Sequence, residues 1–510
     1  MRTYDCLLIN PRSFFYSKEQ KTVPYLPAGL LSIASVLKRA GRRPIVLDMV
    51  AEDDPAAALD AALGGDPSPV LLAGFTVMTT QYRHAAEMSR YIKERRPGVK
   101  IIWGGIHPSL FPEEVLREGI ADFVCPGEGE YAAEELLAAL ENGTSPEAVK
   151  GLYLFSGGKI VFTGRRPPND LDALPYLDLG LIDYSKYRKR SVYRGSETML
   201  VDASVLVSSV GCPYRCTFCV NANKRLAFGG YRAKSAKRLV DEIEFLMSRF
   251  GVDYFDFLDE NFFVKRSHSE AFVSEVRRRG LKFGWHTNMR ADAFDRKLVD
   301  DELLERLRGI GLYLLAIGAE SGSQRILDKL KKDITVEQIL QSAALLARHG
   351  LGATYSFMMG IPGETKADLN ATLGLMRKLR SLDKKISLIG PQVFRPYPGG
   401  ELYDECVRDH GYRPATDKAK WADYIDPLTG FESLEKLPWI QDRELVGRIS
   451  FYVEFANMNL GALRLGPLKR LLFRALKAAA DLRIRRQFWA LNLEMWLILA
   501  YKKARAKLRG

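Results

Sequence analysis

Gly211-Cys212-Pro213-Tyr214-Arg215-Cys216-Thr217-Phe218-Cys219-Val220 holds half of the chain's six cysteines within eight residues. Three thiolates can hold a cubane iron–sulfur cluster and leave one iron without a protein ligand. Such an iron can bind a small molecule and pass it an electron, whereas a cluster held by four cysteines mainly relays electrons onward. The missing ligand therefore points to catalysis. The competing reading is zinc. Cys6, Cys125 and Cys406 are solitary, however, so no Cys-x-x-Cys partner is available. The nearest histidines along the chain, His268 and His286, lack zinc-finger spacing.

On both sides of this stretch, short apolar runs alternate with helical patterns. Upstream they are Cys6–Ile9, Gly29–Arg39, Pro44–Asp48, Val70–Thr76, Gln81–Arg95 and Lys100–Trp103, which predicts a doubly wound α/β domain over residues 1–145. Its strand ends carry Pro27-Ala28-Gly29, Thr76-Val77-Met78-Thr79-Thr80, Gly104-Gly105-Ile106-His107-Pro108 and Gly127-Glu128-Gly129-Glu130. Ligands bind at such ends, although glycines there also serve plain tight turns. Residues 146–200, with Gly157-Gly158, a hairpin-like Gly151–Phe162 and the Pro167-Pro168 break, read as a linker. The alternation then resumes. Strands are expected at Ser204–Val210, Tyr254–Leu258, Lys282–Thr287, Tyr313–Ile317, Ala353–Met359 and Ile386–Phe394, within a domain over residues 201–430. A helical region follows over 431–510.

The 510 residues allow two or three domains, and 47% hydrophobic content gives each a core. The first residues read at once as a buried strand, without an export signal's basic and apolar regions. Few and mostly unpaired cysteines fit a reducing compartment, so the expected location is the cytoplasm. The net charge of +13 is concentrated in residues 464–510, where thirteen Lys and Arg face only Asp481 and Glu494. Basic residues interleaved with Leu, Phe and Trp point to an anionic membrane surface rather than to nucleic acid.

The Cys-x3-Cys-x2-Cys spacing, with Phe218 just before the last cysteine, resembles the signature of the radical S-adenosylmethionine (SAM) superfamily. An α/β domain ahead of it with Pro-Ala-Gly-Leu, Gly-Gly-Ile-His-Pro and Gly-Glu-Gly-Glu is similar to the cobalamin-binding domain of the B12-dependent radical SAM enzymes. The resemblance implies three units: a Rossmann-like cobalamin-binding domain, a partial (β/α)6 barrel with its chemistry at the C-terminal strand ends, and a helical C-terminal region. It further implies a [4Fe-4S] cluster on Cys212, Cys216 and Cys219. Cobalamin would lie against Pro27, Ala28, Gly29, Thr76, Met78, Thr79, Gly104, Gly105, His107, Gly127 and Glu128. The Asp-x-His-x-x-Gly motif that supplies a cobalt-ligating histidine in other B12 proteins is absent, so His107 is expected to steady its turn or touch the cofactor's tail.

For SAM, the resemblance assigns Phe218 together with residues from successive strand ends: Asp259, Glu260 and Asn261 toward the amino group, Arg290 toward the carboxylate, and Asn288 toward the ribose. Gly318, Glu320 and Ser321 follow the fourth strand, and Gly360, Pro362 and Gly363 lie on the adenine side. The alternative for each is a cap or an ion pair: Asp259 or Ser321 capping a helix, Arg290 pairing with Asp292 or Glu320. Tyr214, Phe218, Phe228, Phe262, Phe263 and Trp285 either line a dry pocket or pack the core.

The activity implied is reductive cleavage of SAM to a 5′-deoxyadenosyl radical, hydrogen abstraction from an unactivated carbon, and transfer of a methyl group by way of cobalamin. The expected partners are a hydrophobic small molecule and a reductant such as a ferredoxin or flavodoxin. Porphyrin-cyclase relatives make ring formation or oxidation the close rival. An RNA methylthiotransferase would carry three further N-terminal cysteines, where only Cys6 and Cys125 occur. A non-catalytic cobalamin- or cluster-binding sensor docked at a membrane would cleave no SAM.

In the tail, Leu468, Leu471, Leu472, Ala475, Leu476, Ala479 and Leu482 recur at helical spacing among Lys and Arg, the pattern of a basic amphipathic helix. Phe488–Tyr501 is apolar but shorter than the ~20 residues a spanning helix needs. It suits the membrane interface, or a helical pair packed on the barrel with a solvated basic face.

Overall fold

The computed structural model describes residues 5–13, 24–64, 71–194, 197–223, 230–414, 434–457, 466–498 and 500. Val70, Phe228 and Tyr501, which enter the sequence reading, lie outside them. In the first sheet, β1 (Cys6–Asn10), β2 (Pro44–Asp48), β3 (Leu72–Thr76), β4 (Lys100–Gly104) and β5 (Phe123–Cys125) run parallel in the order β2-β1-β3-β4-β5. The order reverses between β1 and β3, so their carboxyl ends open a crevice where a ligand can sit. Cys6, Leu7, Leu8 and Ile9 are all buried, because helices cover both faces of the sheet. Leu30, Leu31 and Leu136 pack on one face, and Tyr82, Ala85 and Ile92 on the other.

The interval 146–200 is more than a linker. Its hairpin, β6 (Tyr153–Ser156) and β7 (Lys159–Phe162), pairs antiparallel with β5 and completes the first sheet. Farther on, β8 (Lys189–Arg194) pairs antiparallel with β9 (Glu197–Leu206) and becomes one edge of the second sheet. Gly157-Gly158, inside the segment that reads as hairpin-like, form the turn of this strand pair.

The second sheet runs β16-β15-β14-β13-β12-β9-β8. Its parallel strands are β9, β12 (Tyr254–Phe257), β13 (Gly284–Met289), β14 (Leu312–Glu320), β15 (Gly352–Met359) and β16 (Ile386–Val393), the open barrel that the sequence predicts. One expected strand is split. Ser204–Val210 leaves the sheet after Leu206, and β10 (Ser209–Val210) turns aside to pair with β11 (Arg232–Ala233). The Asp259 carboxylate holds the break open by accepting from the Ser208 and Ser209 hydroxyls at 2.8 and 2.5 Å.

The two-residue period of β12 sends Phe255 and Phe257 to the helices and Tyr254 and Asp256 to the opposite, inner face. Phe257, Phe262, Phe272 and Trp285 form one buried packet with ring centroids 4.9–5.8 Å apart. Phe262, Phe263 and Trp285 therefore belong to the core rather than to a pocket wall. The helix Arg443–Asn457 lies along β16 and covers that edge of the sheet, and Pro467–Arg486 packs on it in turn. Ala480 and Ile484 face inward, whereas Leu471 is 64% and Trp496 65% exposed.

Phe272→Ala should cost about 3–5 kcal/mol in denaturant unfolding, because it leaves a cavity among the three remaining rings. Leu482→Ala, on the exposed face, should stay within about 0.5 kcal/mol of the parent.

Candidate functional site

The cysteine loop is gripped from both sides. Thr217 donates its amide to the Leu330 carbonyl at 2.9 Å, and its own carbonyl accepts from the Leu402 amide at 2.8 Å. Gly400 permits this approach, since a Cβ there would stand 2.8 Å from the Thr217 carbonyl oxygen. None of the three cysteines is in a disulfide, and Cys216 is buried. Burial pushes the Cys219 thiol up to about 11, with Glu260, Cys216 and Cys212 adding to the effect. Burial, Cys216 and Glu260 likewise raise Cys212. The loop thus holds three neighbouring thiols, of which Cys212 and Cys219 resist ionisation until a strongly cationic centre compensates them. Among the described residues no group of Cys, His, Asp or Glu is drawn together tightly enough for a single metal ion. The donor set fits a multi-iron cluster, whose sulfurs stand farther apart. Cys6, Cys125 and Cys406 are buried, and their thiols are pushed up to about 12, as suits inert core residues.

The residues assigned to SAM divide into two groups. Glu260 is exposed and close enough to influence Cys212 and Cys219. Asn261 is buried, its Oδ1 without a protein partner, and Asn288 donates to the Asp259 carbonyl at 2.7 Å. Glu320 holds a left-handed backbone, φ +63°, at the irregular end of β14. Its carboxylate pairs with Lys332 at 2.9 Å, and both side chains are buried. A side chain at Gly318 would collide with this pair. Lys332 carries no signal in the strand pattern and is absent from the sequence assignment. Its ammonium lies 5.8 Å from the Phe218 ring. Burial opposes its charge, but Glu320 and Cys216 outweigh that and raise its pKa.

The second group is committed elsewhere. Asp259 is fully enclosed, its carboxyl pushed up to about 6 by burial despite the serine hydrogen bonds, so it ties the sheet rather than a ligand. Ser321 bonds Thr372 at 3.1 Å and accepts from the Ser323 amide at 3.1 Å, organising a turn. Arg290 pairs with Asp292 at 3.0 Å and covers the Tyr214 ring at 3.8 Å, which steadies the cysteine loop from outside. Gly360 is enclosed: Trp439 donates to its carbonyl at 2.7 Å, and a Cβ would meet Ile440 at 2.9 Å. Pro362 is buried, and Gly363 is exposed.

Inside the barrel, Asp256, His286, Tyr254 and Tyr313 form a hydrogen-bonded chain across β12, β13 and β14. His286 Nε2 meets Asp256 at 2.8 Å, Tyr254 Oη meets His286 Nδ1 at 2.5 Å, and Tyr254 donates to the Tyr313 hydroxyl at 2.6 Å. Each residue looks unremarkable in its own strand. Only the register of three strands brings them together.

At the first domain's strand ends, Gly29 is exposed with open space around it, and Met78 is 50% exposed. Pro27, Ala28, Thr76, Gly104 and Gly127 are half-buried beside them. This open rim at the crevice suits a broad, flat ligand such as cobalamin. Four assigned residues face elsewhere. His107 is wholly buried, 3.2 Å from the Thr79 hydroxyl and between the rings of Tyr82 and Phe111, so it and Thr79 steady the turn. Gly105, at φ +96°, is required by the turn itself, because a Cβ would stand 2.8 Å from the Val77 amide. Glu128 pairs with Arg232 of β11 and accepts from the Asn169 amide at 2.7 Å, so its carboxylate joins the domains.

The two sites meet. A Cβ at Gly399, in the loop after β16, would lie 3.0 Å from both Leu110 of the first domain and Val220 of the cysteine loop. The strand-end loop carrying Gly104 and His107 thus abuts the loop carrying Cys212, Cys216 and Cys219.

Comparison with known proteins agrees with this layout. The family model for the radical SAM superfamily matches residues 206–376, and that for the B12 binding domain matches residues 23–137. An uncharacterised methyltransferase of Pyrococcus horikoshii is 27% identical over 414 residues, covering 80% of this chain and 84% of the relative. The anaerobic magnesium-protoporphyrin IX monomethyl ester cyclase of Rubrivivax gelatinosus is 29% identical over 342 residues, 66% of this chain and 58% of that one. Among solved structures, the radical S-adenosylmethionine methyltransferase TsrM of Kitasatospora setae, with cobalamin and a [4Fe-4S] cluster bound, superposes with a TM-score of 0.62 at 18% identity, over 84% of this chain and 82% of that one. The chain belongs to the radical SAM superfamily, among the members that carry a B12-binding domain.

Proposed function

We propose that this protein is a cobalamin-dependent radical SAM methyltransferase acting on an unactivated carbon of a hydrophobic metabolite. The observation that carries the reading is the meeting of the two loops at Gly399. When bound, the cluster with SAM supplies a carbon-centred oxidising radical, and cobalamin supplies the methyl group. Cys212, Cys216 and Cys219 would hold the cluster. Lys332, beside Cys216 and Phe218, offers an ammonium to a carboxylate, and Glu260 offers its charge to an amino group. Glu320 and Asn288 stand where hydroxyl groups can be received. Arg290 positions the loop through Tyr214.

A hydrophobic substrate is supported by the cyclase relative, whose named substrate is a porphyrin ester, and by the tail. There Leu471, Leu472, Leu482 and Trp496 are exposed amid basic residues, which favours contact with an anionic bilayer. No helix among the described residues is long and apolar enough to cross a membrane. Ring closure is the second reading, favoured by the same cyclase. Mass spectrometry of products separates a gain of one methyl group from a loss of hydrogen.

Cys212→Ala, Cys216→Ala and Cys219→Ala should each abolish the visible iron–sulfur absorbance and lower deoxyadenosine formation by more than ~100-fold. Lys332→Met leaves Glu320 buried without its partner and should lower stability by about 3–5 kcal/mol. Adding Glu320→Gln should restore most of that stability but not SAM affinity, measured by thermal melts and by SAM titration of the reduced cluster's electron paramagnetic resonance. Burial pushes the Glu364 carboxyl from 4.5 up to about 7, although the Gly360 and Ile361 amides donate to it. The folded state therefore keeps this proton longer than the unfolded chain, and stability falls as pH rises from 4.5 through about 7. Glu364→Gln should flatten that fall by roughly 1–3 kcal/mol between about pH 5 and 8, read from denaturant unfolding.

A further inference from the structure

The edge strand β16 is bent. Gly390 takes a left-handed φ of +83°, and the register between β15 and β16 shifts alongside it. A Cβ at Gly390 would run into the Phe357 carbonyl and the Gln392 amide, so the bend belongs to glycine. The helix Arg443–Asn457 bridges the resulting gap without filling it, Asn457 donating to the Gly390 carbonyl at 2.9 Å. Beneath lies a cavity of about 920 Å³ that reaches Phe218 of the cysteine loop and is walled by Met358, Leu388, Phe394 and Val453. A second cavity, of about 530 Å³, lies toward the helix Pro467–Arg486 and shares Leu388, Val453 and Asn457 with the first. Its lining carries Arg377, Lys378, Arg380 and Arg485 against a single carboxylate, Asp481. Arg380 pairs with that carboxylate at 3.1 Å.

Apolar walls dominate near the cysteine loop, and cations collect at the far end. A pocket for a single compact ligand spans about 300–1,000 Å³, so the joined pair admits a longer molecule than one cavity does. We infer that the two cavities form one elongated binding site for an amphipathic anion: an apolar body runs inward to Phe218, and a phosphate or carboxylate rests among Arg377, Lys378 and Arg485. The inference deepens the proposed function by naming its substrate class.

The test uses the full chain, reconstituted with its cluster under anaerobic conditions, and a fluorescent pair of probes: anilinonaphthalenesulfonate, and uncharged phenylnaphthylamine with similar rings. The parent should bind the sulfonate at one saturable site, displaced by dodecyl phosphate or by palmitate; whichever competes at lower concentration identifies the head group. Val453→Trp, at the seam between the cavities, should weaken both probes about tenfold or more. Arg377→Glu combined with Arg485→Glu should weaken only the sulfonate, about tenfold, and less so at high salt. A Leu471→Ser, Leu472→Ser variant on the exposed tail should bind both probes as the parent does.

Unchanged sulfonate affinity in the charge-reversed variant overturns the inference, as does loss of binding in the Leu471, Leu472 variant or failure of both competitors. Where Val453→Trp melts early, the charge-reversed variant decides, because both its positions are exposed. The response of the cluster's paramagnetic signal to SAM is recorded in parallel. That readout tests the proposed function and can fail independently of probe binding.

Discussion

Three thiols on one short loop, two of them, Cys212 and Cys219, made reluctant to ionise by burial and by their neighbours, set the terms for everything around them. An ordinary protein interior would leave them protonated and inert, as it does Cys6, Cys125 and Cys406. To be useful the loop must stay rigid before any cation arrives. It is held chiefly by backbone, with Arg290 over Tyr214 in support: Thr217 is bonded on one side to Leu330 and on the other to Leu402. Gly400 brings a second segment to van der Waals distance. The buried charged groups nearby are balanced in pairs, Lys332 against Glu320 and Arg290 against Asp292, which leaves Glu260 as the exposed charge facing the loop.

Much of this was legible in the sequence where a physical rule acts over a short range. Buried parallel strands read as continuous apolar runs, which places β1 and β3 within a residue or two. Cys212, Cys216 and Cys219 were plain from spacing alone. What stayed hidden depends on register between distant strands. The chain from Asp256 through His286 and Tyr254 to Tyr313, and Lys332 behind Glu320, cannot be seen without knowing which strands are neighbours. The hairpin at 153–162 is legible as a hairpin but not as part of the first sheet, for a related reason: paired glycines mark a turn, but the sheet it joins is decided by β5.

The assigned carboxylates teach a narrower lesson. Asp259, Glu128 and Glu320 all stand at strand ends, and sequence reasoning treats them alike. Asp259 is consumed by two serines that break a strand, Glu128 by the contact between domains, and only Glu320 remains beside the cysteine loop. A strand end is where a ligand can be met, but it is also where a sheet needs polar ties. Burial and the count of hydrogen bonds already made separate the two uses.

The tie between Glu128 and Arg232 reaches beyond stability. Arg232 lies on the small hairpin just past the cysteine loop, and its carboxylate partner lies on the last of the first domain's glycine turns. The two halves are thereby latched at the rim of the space they enclose, and admission by swinging the halves apart would break an ion pair shielded from water. On the reading proposed above, the substrate site lies along the flank beside β16 instead. On the function proposed above, a corrin clasped between the latched halves would be retained from one turnover to the next, as a resident tool rather than a shuttling co-substrate.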